Sequence, residues 1–256
     1  MLSKIPVTVL IITHRCDDRL HRLLSSLTFA NEIMIVDNQS QQDWRLFAHL
    51  PLTIFEEKLP ITNFSEIKNS YSQLAKNDWI LFLDSDEMVD ASFAEEIKRL
   101  IHKSDISGVY FPRIDYFYHQ PLQYGEVKDY QVLRLARKKH VLFLREVHEI
   151  AKVSGRTIQA QQPIFHEAHL SIDEFWQKII TYAYLEAQSR FNKAQTFHLW
   201  ELVTFPIGKF LYNFFWRQGF RDGMRGLIYT LMMSLHSLIV RIRLYELTST
   251  SHVKNF

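Results

Sequence analysis

The residues best placed to do chemistry are Asp84-Ser85-Asp86-Glu87, which close an apolar run from Trp79 to Leu83. Uninterrupted apolar sequence entered from Asn77-Asp78 predicts a strand buried on both faces. Such a strand, stopping in Asp-x-Asp, delivers its acids to the carboxyl edge of a sheet, where open α/β folds bind ligands. Acidic oxygens gathered there suit a hard divalent cation held against phosphate oxygens. A solvated acidic turn is the ordinary alternative, so the elements around the motif have to decide.

Those elements alternate. Val7 to Ile12 reads as a first strand, and Leu20, Leu23, Leu24 and Leu27 recur at helical spacing after it. Glu32 to Asp37 is a second buried strand ending in an acid. A helix carrying Trp44 and Phe47 and a short strand from Leu52 to Phe55 follow. Ser65 is the expected cap of the next helix, with Ile67, Tyr71, Leu74 and Ala75 on one face. After the Trp79 strand, Ser92 and Glu95 form a capping box ahead of the stripe Phe93, Ile97, Leu100 and Ile101. This β-α order predicts an α/β fold, a Rossmann-like, mostly parallel sheet with helices on both faces.

Past Gly108 the texture changes to an aromatic, extended stretch reaching Tyr118. Strands at Gln131–Ala136 and Val141–Leu144 then flank a Lys-Lys turn. From Ser171 the chain reads as helical, with Phe175, Ile179 and Tyr182 repeating behind Asp173-Glu174. Residues 205–245 hold six Lys or Arg against one Asp, with nine aromatics. Arg217, Arg221 and Arg225 make one cationic stripe if that segment is helical. The apolar run Gly226–Val240 has fifteen residues, short of the ~20 that span a bilayer, so a helix lying on an anionic membrane surface is expected. A hairpin packed on the preceding domain is the alternative. The expected division is 1–170, split into 1–105 and 106–170, followed by a helical region at 171–256.

Bulk composition bounds the class. The 256 residues are 47% apolar and 23% charged, the make-up of a globular chain. A net charge of +2 gives no general attraction for nucleic acid. One cysteine, Cys16, permits no internal disulfide and fits a reducing compartment. The opening residues lack the long apolar core and cleavage site of a signal peptide.

Taken together, these pieces resemble a family 2 glycosyltransferase of the GT-A fold, and within it the bacterial lipopolysaccharide inner-core β-1,4-glucosyltransferases acting on heptose. The resemblance is carried by Thr13 at the first strand's end, Ile-Met-Ile-Val-Asp37, Phe64-x-x-x-Lys68-Asn69 and Asn77-Asp78-Trp79-Ile80 leading to Asp84-Ser85-Asp86-Glu87. It continues through Asp129-Tyr130 before Arg134-Leu135-x-Arg137, Val147-His148-Glu149, His166 and Arg217-x-Gly219-Phe220-x-Asp222-Gly223. The chain departs from the family at His14-Arg15-Cys16, at the 38–43 loop, at one residue inserted before Arg134, and at Ala136.

The resemblance implies roles. Asp86 holds Mg2+ or Mn2+, with His148 a further candidate ligand. Asp84 and Ser85 lie on the ribose side, Thr13 and Asp37 meet uracil and ribose, and Lys68 is a basic nucleotide contact. Asp129 is the base of an inverting transfer, with Glu126 its local rival, and His148 and Glu149 line the acceptor side. The implied reaction moves a hexose, glucose from UDP-glucose, to a heptose-bearing lipopolysaccharide or lipooligosaccharide core. The implied location is cytoplasmic and peripheral on the inner face of the cell membrane. His166-Glu167-Ala168-His169 does not match the zinc pattern His-Glu-x-x-His. Two other readings stay open: a membrane-surface carbohydrate-binding protein without turnover, and a haloacid-dehalogenase-like phosphatase using Asp84.

Overall fold

The computed structural model describes residues 4–14, 17–61, 63–144, 150–169 and 171–253. These fall into two compact units, 1–114 with 129–167, and 115–128 with 168–256. That partition differs from a sequential division at 170, because 115–128 groups with the C-terminal helices.

The first unit opens with β1 (Ile5–Thr13), α1 (Asp18–Ser26), β2 (Ala30–Asp37), β3 (Leu52–Glu56), α2 (Phe64–Leu74) and β4 (Trp79–Asp84). A two-residue strand β5 (Glu87–Met88), α3 (Ala91–Leu100) and β6 (Gly108–Phe117) come next. Parallel pairing sets the order β3-β2-β1-β4. The central strands are apolar on both sides because both are covered, as parallel sheets require. Val9, Ile11, Ile33, Ile35, Leu81 and Leu83 pack with α1 and α3 through Leu20, Leu23, Phe93 and Ile97. Their alternating neighbours Leu10, Met34, Val36, Ile80 and Phe82 pack on the other face, where Ile67 and Tyr71 of α2 adjoin them. The expected parallel α/β half is therefore present.

Local details depart from expectation. Asn63, not Ser65, caps α2, its side chain accepting the N–H of Glu66, while Ser65 is buried inside the helix. Leu74 is exposed rather than part of the packed face. Asp90, not Ser92, caps α3 by accepting the N–H of Phe93 at 2.9 Å. Asp outcompetes the nearby serine hydroxyl, which itself donates to Asp90. The Trp44 segment is one 3-10 turn, Trp44–Phe47, instead of a full helix.

After a two-residue β7 (Gln120–Pro121), strand β8 (Gln131–Arg137) lies antiparallel between β4 and β6. The next strand, β9 (Val141–Leu144), pairs with β10 (Ile150–Val153) in a separate ribbon, so the strands flanking the Lys-Lys turn are not partners. Strand β11 (Thr157–Gln159) joins β6, and β12 (Ile164–His169) reaches β5 with His166 opposite Glu87.

The second unit is helical: α4 (Ile172–Asn192), α5 (Glu201–Leu211) and α6 (Gly223–Val253). Ser171 caps α4 as Asp173-Glu174 suggested, but the buried stripe is Phe175, Ile179, Ala183 and Ala187, with Tyr182 exposed. Phe117, Leu122, Val127, Phe175 and Ile179 form one core, against which Ile228, Tyr229 and Met232 of α6 pack. The stripe of Arg217, Arg221 and Arg225 does not form. A π turn (Tyr212–Trp216) and a 3-10 turn (Gly219–Asp222) break the helix there. Arg217 instead donates to the carbonyls of Gly125 (2.8 Å) and Lys128. Asp222 accepts the N–H groups of Gln123 (3.1 Å) and Tyr124 (2.9 Å), so the Arg-x-Gly-Phe-x-Asp-Gly segment clamps the 123–128 loop. Helix α6 runs 31 residues, beyond the fifteen-residue apolar run. By length and composition alone, Gly219–Thr250 is sufficient to cross a membrane, with 33% of its most apolar window buried.

Candidate active site

The parallel register lines up the expected nucleotide-side residues. Thr13 pairs with Asp37 and Ile12 with Asp84, so the ends of β1, β2 and β4 share one edge. Thr13 and Asp37 are buried there. Asp37 is held by the N–H of Ser40 at 2.8 Å and the indole N–H of Trp44 at 2.8 Å. Lys68, buried on α2, brings Nζ to 3.8 Å from Asp84 Oδ1 and lies 5.2 Å from the Phe143 ring centroid.

Arg134 is the centre that sequence reasoning missed. It pairs with Asp84 and, at 2.5 Å, with the fully buried Glu87. Glu87 also accepts the backbone N–H of Asp84 at 3.1 Å, closing the turn around Ser85 and Asp86. The register explains the aim of Arg134. Val109 faces Leu135 and Tyr110 faces Leu133, so Arg134 sits in a β-bulge, which re-aims a side chain. The signal was present as a cation in the apolar strand Val-Leu-Arg-Leu-Ala, where a buried charge demands a buried partner.

The electrostatics follow from this packing. Burial pushes the Asp84 carboxyl up, but Arg134 and Lys68 outweigh it and hold Asp84 below its ordinary value. Burial raises Glu87 despite the pull of Arg134. Desolvation opposes the Arg134 charge, yet the two carboxylates raise its pKa beyond that of a free guanidinium.

Asp86 adjoins that network, its charge acting on Asp84 against the pull of Arg134 and Lys68. Its Oδ1 lies 3.5 Å from His166 Nε2, both side chains being largely buried. His166 on β12 is thus the histidine that the described residues bring to the acid, whereas His148 and Glu149 lie outside the described residues. No group of three His, Cys, Asp or Glu side chains gathers to hold an ion among the described residues. The carboxylate of Asp86 suits either Mg2+ or Mn2+, whereas an added imidazole from His166 suits the transition metal better than Mg2+, which takes oxygen ligands. Ser85 is buried between the two acids. Asp129 is exposed and holds φ at +60°, a left-handed conformation that Asp adopts more readily than most residues. Its rival Glu126 is committed to Lys209 at 3.1 Å within the helical unit.

No family model matches the chain. Curated relatives named as glycosyltransferases do align over nearly its whole length. One is an uncharacterized glycosyltransferase of Rickettsia typhi, 23% identical over 96% of this chain and 88% of its own. Another is the lipopolysaccharide core biosynthesis glycosyltransferase LpsC of Rhizobium meliloti, 24% identical over 96% of this chain and 94% of its own. A crystal structure of S. aureus TarS in complex with UDP overlaps 93% of this chain and 89% of that one, at TM-score 0.46 and 12% identity.

Proposed function

We propose that this chain is a GT-A glycosyltransferase that builds a lipopolysaccharide core, transferring glucose from UDP-glucose to heptose with inversion. The observation that carries the reading is the shared edge: Thr13, Asp37 and Asp84 end three neighbouring strands, with Asp86 and His166 beside them. The end-to-end similarity to relatives named for glycosyl transfer, one of them for lipopolysaccharide core biosynthesis, supports the same class.

Thr13 and Asp37 face the nucleoside, and Lys68 supplies positive charge toward the diphosphate. Asp86 and His166 would hold the Mg2+ or Mn2+, whose charge would offset that of the departing diphosphate. Arg134 fixes Asp84 and, through Glu87, the turn that presents Asp86. Asp129 takes the proton of the acceptor hydroxyl as its oxygen attacks the anomeric carbon; the bond to phosphate breaks on the opposite face. The enzyme works in the cytoplasm, peripheral on the inner face of the cell membrane, a location supported by its cationic, apolar helical unit.

The test is the product. With UDP-glucose and heptose-bearing deep-rough lipopolysaccharide, we expect one added glucose in β linkage by NMR. An α-linked product contradicts inversion, and another sugar accepted in its place contradicts the donor.

A further inference from the structure

Helix α5, with the π turn that carries it on to Trp216, is built inside out. Its inward side is polar. Glu201 lies 3.8 Å from the buried Arg241 of α6, and Lys209 and buried Asn213 both reach Glu126, at 3.1 and 3.4 Å. Its outward side is apolar at helical spacing: Val203, Ile207, Leu211 and Phe215 are 58, 53, 49 and 57% exposed, and Trp216 is 79% exposed. No residue of α5 is buried. A helix covering a water-soluble core distributes these types the other way.

The composition around this face selects its cover. Trp200, Tyr212 and Trp216 are exposed, and such amphipathic rings settle at headgroup depth. The exposed Arg221 lies five residues beyond Trp216, with Arg225 one helical turn further on. That charge matches anionic headgroups. Helix α6, by contrast, turns part of its apolar surface inward, on Phe117 and Phe175 through Tyr229 and on Ala183 and Ala187 through Val240, while Met224, Leu231 and Ile242 are exposed.

We propose that the outer face of α5 and its π turn inserts into the interfacial layer of an anionic bilayer, lying in its plane, while α6 stays packed on α4 and α5 and does not cross. The proposal rests on the peripheral location proposed above and names the element that makes the contact.

Flotation of the full chain with phosphatidylglycerol-containing or pure phosphatidylcholine vesicles tests it. The wild type is expected to float with the anionic vesicles, and the triple variant I207S/L211S/W216S to lose about tenfold or more of that partition. Should the triple variant fail to fold by circular dichroism, the double variant W200F/W216F in vesicles of brominated lipid decides. Quenching of tryptophan fluorescence by the lipid is expected in the wild type and is expected to drop sharply in W200F/W216F. If the wild type floats but the triple variant floats equally, or W200F/W216F is quenched as before, the α5 assignment is overturned and the peripheral location stands. A wild type that floats with no vesicle removes both. Variants that only convert a dimer to a monomer in sedimentation assign the face to a second copy of the chain and overturn the lipid assignment.

Discussion

Arg134 decides how the acids at the sheet edge behave. Because Glu87 is fully buried and Arg134 nearly so, removing the guanidinium strands a carboxylate in the interior. Arg134→Ala is expected to cost about 3–5 kcal/mol in urea unfolding, the range for breaking a buried pair from one side. Arg134→Lys is expected to recover part of it, since one ammonium cannot serve both carboxylates as the guanidinium fork does. A pH dependence follows from Asp84. Its folded pKa lies below the ordinary value of 3.8, so the unfolded chain binds the proton more tightly. The stabilisation is fully present above that value and is lost as pH falls through the folded pKa. Asp84→Asn is therefore expected to flatten the acid limb of stability measured by urea midpoint, and an unchanged limb contradicts the assignment. At this scale the sequence showed the acids but not their partners. Asp84, Asp86 and Asp37 were legible as strand ends; the Arg134 contacts needed a bulge register between strands distant in sequence, and the His166 contact needed the pairing of β12 with β5.

Among the elements, the apolar pattern was the most legible signal, because a strand buried on both faces leaves a continuous apolar run and a helix buried on one face leaves a repeat of three to four residues. Strand β4 and the Phe93-Ile97-Leu100 stripe follow it directly. Caps are ambiguous in sequence where two competent residues lie close together, as at Asn63 against Ser65 and Asp90 against Ser92. The segment at 212–222 is ambiguous for another reason: Arg217, Arg221 and Arg225 fit a helix by spacing, but the chain turns there around glycines. A Cβ on Gly226 would lie 1.9 Å from the carbonyl oxygen of Gly219 and 2.9 Å from Cβ of Asp222. Gly226→Ala therefore forces α6 away from the turn that holds the 123–128 loop. We expect a lowered melting temperature and faster proteolysis near residue 220 than for Gly208→Ala, at a helical glycine of α5 where an added Cβ meets open space. Equal behaviour of the two variants contradicts this role for the turn.

For the whole molecule, the alternating first half revealed its class because each parallel crossover leaves a strand-then-helix record in order. The second unit did not, since 115–128 packs with helices that begin more than forty residues later, placing Phe117, Leu122 and Val127 in one core with Phe175 and Ile179. No local pattern in 115–128 encodes that partner. The measurement that tests the account most directly is nucleotide release from a panel of sugar nucleotides, with Mn2+, Mg2+ or EDTA and with or without deep-rough lipopolysaccharide. The account predicts UDP release from UDP-glucose that needs the metal and rises with acceptor. It also predicts loss of about 100-fold or more in Asp86→Ala and in Asp129→Asn, the latter keeping the left-handed backbone while removing the base. Release that persists in EDTA and in both variants, or none from any donor while sugar nucleotide still binds, contradicts it.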